Sequence, residues 1–191
     1  MRLWTYQHPA VLKVLLQGER YYCTWDCVPS LKWQQAYRWM IEQMALRNIQ
    51  TGEFAPVWAW HSVNRLGGKP DMDCAQALLS ENQIAEGIDL LAFEVPDHLA
   101  LVSLYGPWNL ILHRFLDGEI PETQEITDCF AAQLQPRRGR PKLYFDAIQA
   151  CLPFIDPGWL VSSETLDTVS MLEERRIAME AVLVSYNYLS R

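Results

Sequence analysis

Apolar positions fall into short β-type runs at several places in the chain and into three- and four-residue periods between them. Arg2–Gln7 reads as a strand through its β-favouring Trp4, Thr5 and Tyr6. Pro9 suits a helical first turn, Val11, Leu12, Leu15 and Leu16 share one helical face, and Gly18 is a natural stop. Tyr21–Thr24 reads as the next strand. Ser30 can cap a long helix from Leu31 to about Arg47, in which Ala36, Trp39, Met40, Gln43 and Met44 recur at helical steps. Pro56 opens a short strand over Val57–Trp60, and Gly67–Asp71 forms a loop.

Ile88–Val95 and Leu99–Leu104 are the strongest β signals. With Pro96-Asp97-His98 as a turn between them, they are predicted to be neighbouring buried strands. Helices are predicted over Trp108–Leu116, Thr123–Leu134, Leu143–Leu152 and Glu164–Arg176, the last capped by Ser162 or Ser163. Ala178–Tyr186 is predicted to end the chain as a strand. No repeat and no long linker divides these elements. The expectation is one α+β domain over residues 1–191, with small mixed or antiparallel sheets packed against several helices.

Half of the 191 residues are apolar and 12% are aromatic, enough for a sizeable core. No run approaches the ~18 apolar residues of a membrane helix, and the opening residues lack a signal-peptide layout, so a cytoplasmic protein is expected. The five cysteines are odd in number and scattered, with no zinc spacing. They read as buried free thiols, with no metal. His61, His98 and His113 show no ligand spacing among themselves. A net charge of −7 argues against a nucleic-acid-binding surface spread over the whole molecule. One basic cluster stands out against it. Pro136–Lys142 holds four of the sixteen basic residues, Arg137, Arg138, Arg140 and Lys142. Its Arg-Gly-Arg-Pro core is narrow enough to lie in an A·T minor groove, where the arginines would meet a strong negative potential. A solvated turn between two helices is the plainer reading.

Trp58 and Trp60, two apart in a strand, share a face, which is either a buried layer or a stacking platform. Glu94 interrupts an apolar strand and calls for a partner such as Arg2, Arg38 or Arg65.

Three segments, Arg2-Leu3-Trp4-Thr5-Tyr6-Gln7, Pro56-Val57-Trp58-Ala59-Trp60 and Leu91-Ala92-Phe93-Glu94-Val95-Pro96-Asp97, carry a family resemblance, supported by Tyr37–Met44. In order and spacing they resemble a bacterial family described as domain of unknown function 3841. The chain departs from the family pattern at Met72-Asp73, where an arginine is usual. It departs again at Glu180–Val184, where the glutamate replaces a glutamine.

The order of elements also resembles small ADP-ribosyltransferase-like proteins, whose split sheet holds NAD between two halves. That resemblance implies NAD as cofactor, with Thr5 and Gln7 on the first strand, Tyr21 or Tyr22 on the second, Trp58 in the wall, and Glu180 as catalytic carboxylate on the last strand. A fixed negative charge there would steady an oxocarbenium-like ribose. The expected site is a cleft between first and last strands lined by Thr5, Gln7, Tyr22, Trp58 and Glu180. The substrate would be a nucleic acid or a partner protein. Two alternatives stay open. One is a non-catalytic nucleic-acid-binding module of the PUA or ASCH kind using the basic loop. The other is a protein-interaction accessory factor of a mobile element or defence system.

Overall fold

A computed structural model describes residues 1–63, 68–132 and 147–177. Among the described residues, six strands form one antiparallel sheet: β1 (Arg2–Gln7), β2 (Val57–Ser62), β3 (Asp89–Glu94), β4 (Leu101–Leu104), β5 (Ile148–Leu152) and β6 (Leu160–Thr165). Their order across the sheet is β4-β5-β2-β1-β3-β6. The helices are α1 (Pro9–Leu16), α2 (Leu31–Ala45), α3 (Met72–Leu78), α4 (Glu81–Ala85), α5 (Tyr105–Asp117), α6 (Thr123–Cys129) and α7 (168–177). The α+β expectation holds.

Local chemistry sets the helix ends. His8 Nδ1 accepts from the Ala10 N–H ahead of Pro9, and Ser30 caps α2. Asp71 caps α3, and Ser80 with Gln83 forms a reciprocal capping box on α4. Gly118, at φ +81°, stops α5 in a left-handed turn that other residues resist.

The two faces of the sheet are covered differently. On one face, α1 inserts Val11 and Leu15 against Leu3, Val57, Leu91, Phe93, Ala150 and Leu152, a continuous core. Alternation along each strand sends the other side chains to the second face. There, α2, α5 and α6 cover β2, β5 and β4 through Met40, Met44, Trp108 and Ile111 over Leu101 and Cys151. A separate group from α3, α4 and α7 covers β1 and β3, with Ala75, Ile84 and Met171 over Trp4, Leu90 and Ala92.

Four expectations need correction. The β3 and β4 strands are not neighbours: β3 pairs with β1 and β6, and β4 pairs with β5. A 3₁₀ turn over Asp97–Leu99 carries the chain away instead of folding it back as a hairpin. Both runs are apolar because both are buried, and an apolar run does not name its partner. Tyr21–Thr24 is not a strand. Among the described residues it makes only the isolated bridges Tyr21↔Ile155 and Cys23↔Ala55. Ile148–Leu152, expected as the end of a helix, is the strand β5, fully buried on both faces. A short buried segment of this kind, apolar except for Gln149, carries no readable period. Finally, Leu160–Thr165 is the edge strand β6, and α7 starts later behind Asp167, which accepts from the Ser170 N–H at 3.1 Å. The last predicted strand, Ala178–Tyr186, lies outside the described residues.

Candidate functional site

The sheet changes character between β1 and β2. The β1–β3 pair runs in register at six positions, from Arg2↔Glu94 to Gln7↔Asp89. The β1–β2 pair registers at one, Trp4↔Trp60. Beyond it, a side chain takes over from the backbone ladder: the Thr5 hydroxyl donates to the Trp58 carbonyl at 2.7 Å. The neighbouring β2–β5 ladder shifts register between Trp60 and Ser62, a bulge that re-aims side chains beside this seam.

A cleft of about 290 Å³ opens here on the second face, between its two helical groups. Its floor comes from Tyr6 on β1, Trp58 and Trp60 on β2, and Gln149 on β5. One wall is Trp33 and Tyr37 of α2 with Tyr105, Trp108, Asn109 and Leu112 of α5. The other is Leu78, Leu79 and Gln83, at α3 and α4. The volume is near the lower end of small-molecule sites, ~300–1,000 Å³.

The rings hold one another in place. Trp58 and Trp108 stand 4.7 Å apart at 32° between planes, Tyr37 lies 5.4 Å from Trp58, and Trp60 meets Tyr105 edge-on at 5.1 Å. Such pairs add ~0.5–1.5 kcal/mol each beyond the area they bury. None of the described lining residues is charged. Burial pushes the Tyr37 phenol well above its ordinary pKa, so it remains a neutral hydrogen-bonding group. Among the described residues the buried Trp58 indole N–H has no hydrogen-bond partner. Gln149, 3% exposed, donates from Nε2 to Ser103 Oγ at 3.2 Å. The arrangement offers stacking surfaces and neutral donors and acceptors, which suits a flat heterocycle.

Thr5, Gln7 and Trp58 meet at the seam. Gln7 Nε2 donates to Thr5 Oγ1 at 2.9 Å, and Thr5 borders the cleft. Alternation nevertheless turns the Thr5 and Gln7 side chains towards the α1 face, away from the Trp58 ring. Tyr22 stands apart, packed against Phe54 at 4.6 Å and Phe154 at 5.7 Å, so the expected lining does not assemble as one set. Glu180, Arg137, Arg138, Arg140 and Lys142 lie outside the described residues. Glu94 pairs with Arg2 at 2.9 Å, the structural ion pair anticipated for it. Cys74, Cys129 and Cys151 are buried thiols, whereas Cys23 is half-buried and Cys27 is exposed. Among the described residues, no group of three or more His, Cys, Asp or Glu side chains could hold a metal ion. No helix among them is long and apolar enough to cross a membrane.

Sequence reading missed Tyr6, Trp60, Tyr105, Trp108 and Gln149 as one constellation. The i, i+2 tryptophans were visible, but their partners arrive from elements far along the chain.

The family model described as Domain of unknown function (DUF3841) matches residues 2–147. The chain belongs to this family. The DUF3841 match takes in β1, α2, β2, α3, α4 and α5, hence every part of the cleft except Gln149. No curated protein and no solved structure matches the chain.

Proposed function

We propose that this DUF3841 protein is an NAD-using, ADP-ribosyltransferase-like protein of the cytoplasm that modifies a nucleic acid or a partner protein. In this reading the aromatic cleft receives the nicotinamide end of the cofactor. The observation that carries the reading is the seam: a six-stranded sheet that parts between β1 and β2, with an aromatic cleft opening along the parting. A lining of aromatic faces without cations suits the nicotinamide pyridinium, a flat cation stacked among tryptophans, with its carboxamide met by side-chain amides. The cofactor's phosphates would lie outside this neutral pocket, because burying them without cations is costly. Glu180 is the carboxylate assigned to the ribose, where its charge would act mainly in the transition state.

Titrating NAD while following tryptophan fluorescence tests binding, since four of the lining residues are tryptophans, Trp33, Trp58, Trp60 and Trp108. Nicotinamide release, with candidate macromolecules present, tests chemistry. Glu180→Gln should keep NAD binding and lose release. Equal release by wild type and variant removes Glu180 from the mechanism.

A second reading is a nucleic-acid-binding module. One unstacked base would enter the aromatic cleft, and Arg137, Arg138, Arg140 and Lys142 would meet the backbone. Its support is the same ring-lined, uncharged pocket. Oligonucleotides in the fluorescence titration separate the two readings: saturable quenching by oligonucleotide but not by NAD selects the second.

A further inference from the structure

Gln149 is a buried polar side chain on the floor of an aromatic cleft, and its surroundings restrict what it can recognise. It sits opposite Trp60 on β2 and opposite Ser103 on β4. Directly opposed residues project to the same side of a sheet, so its side chain shares the cleft face with Trp60. Its Nε2 donates to the Ser103 oxygen at 3.2 Å, and Ser103 is itself fully buried. Ser103 thus accepts from the nitrogen end of the Gln149 amide. Among the described residues the amide makes only this hydrogen bond, leaving Oε1 and the second N–H for a ligand.

That combination is complementary to another primary amide. A ligand carboxamide can donate its N–H to Oε1 and accept from the second Nε2–H, a two-point pairing. A carboxylate in the same place has no proton to donate. It would set a negative oxygen against Oε1 in a lining whose described residues hold no cation to compensate it.

We propose that Gln149, held in one orientation by Ser103, is a specificity-determining residue that selects a carboxamide-bearing pyridinium ring over its carboxylate counterpart. The proposal rests on the NAD reading of the cleft and names what that cleft discriminates. Ser103 is a positioning residue in it.

The test compares NAD with its nicotinic-acid analogue, identical except for carboxylate in place of carboxamide, by tryptophan fluorescence at neutral pH. Wild type is expected to bind NAD at least ~10-fold more tightly, the size of effect that mismatched polar groups in a built site produce. In Gln149→Leu, confirmed folded by its circular dichroism and melting profile, NAD binding should weaken and the two affinities converge. Equal binding of both dinucleotides by wild type overturns the proposal and leaves the NAD reading standing. A preference that survives in Gln149→Leu also overturns it. Wild type that binds neither dinucleotide sinks the NAD reading itself. The wild-type comparison decides the matter even where the variant does not fold.

Discussion

Strand β1 has two neighbours and treats them differently. Towards β3 it is closed by a six-position ladder, backed on one face by Leu3, Leu91 and Phe93 and on the other by Trp4, Leu90 and Ala92. Towards β2 it pairs once, at Trp4↔Trp60, and a threonine hydroxyl supplies the next link. The first seam is built for stability, with apolar burial on both sides and backbone groups satisfied by each other. The second leaves room on one face, and aromatic side chains from β1, β2, α2 and α5 line that room. A sheet can thus remain one sheet and still part locally, provided that the opposite face keeps a continuous core, as the one under α1 does.

The contrast can be broken most severely at the closed seam. Phe93, fully buried on β3, should cost ~3–5 kcal/mol as Phe93→Ala, read by urea or guanidinium denaturation. A loss under ~1 kcal/mol would mean that this seam is not the stabilising one. At the parted seam, Thr5→Val keeps the shape and removes the hydroxyl that bridges to the Trp58 carbonyl and accepts from Gln7. It should cost ~1–3 kcal/mol and speed amide exchange in β1 and β2 more than in β3. Unchanged stability and exchange would show that the hydroxyl does not hold the seam. The smallest effect belongs to the closed seam's outer end. Arg2→Ala breaks the half-exposed pair with Glu94 and should cost ~1 kcal/mol or less, with the loss shrinking further at high salt. A larger, salt-insensitive loss would assign Arg2 a packing role that the ion pair does not account for.

Much of the first half of the chain was legible because local signals there agree. Strand-type Trp4, Thr5 and Tyr6 precede Pro9, and Ser30 caps a helix whose apolar positions repeat at the right step. Trp58 and Trp60 announced a shared face, and Glu94 announced a partner. The later chain was harder to read. Ile148–Leu152 is short, apolar except at Gln149, and carries one β-branched residue, so composition leaned towards helix, while position in the middle of a sheet half decided strand. Gln149 carries no signal of its own. It matters only because pairing sets it opposite Trp60 and Ser103, residues 89 and 46 positions earlier. The neighbours of β3 and β4 were likewise a property of topology, which two apolar runs and a proline cannot convey.

Strand β5 also bears on how the family's matched segment is to be understood. That segment ends at residue 147, one residue before β5 begins, yet β5 lies between β2 and β4. A polypeptide cut at the match boundary would leave β4 with no strand to pair with and β2 with an open edge, a template for aggregation. The boundary of resemblance is therefore not a boundary of cooperative folding. During synthesis the cleft's floor would stay incomplete until β5, just past the matched region, had emerged. The Val57↔Leu152 pairing spans nearly a hundred residues, a high contact order that places floor closure among the slow, late events.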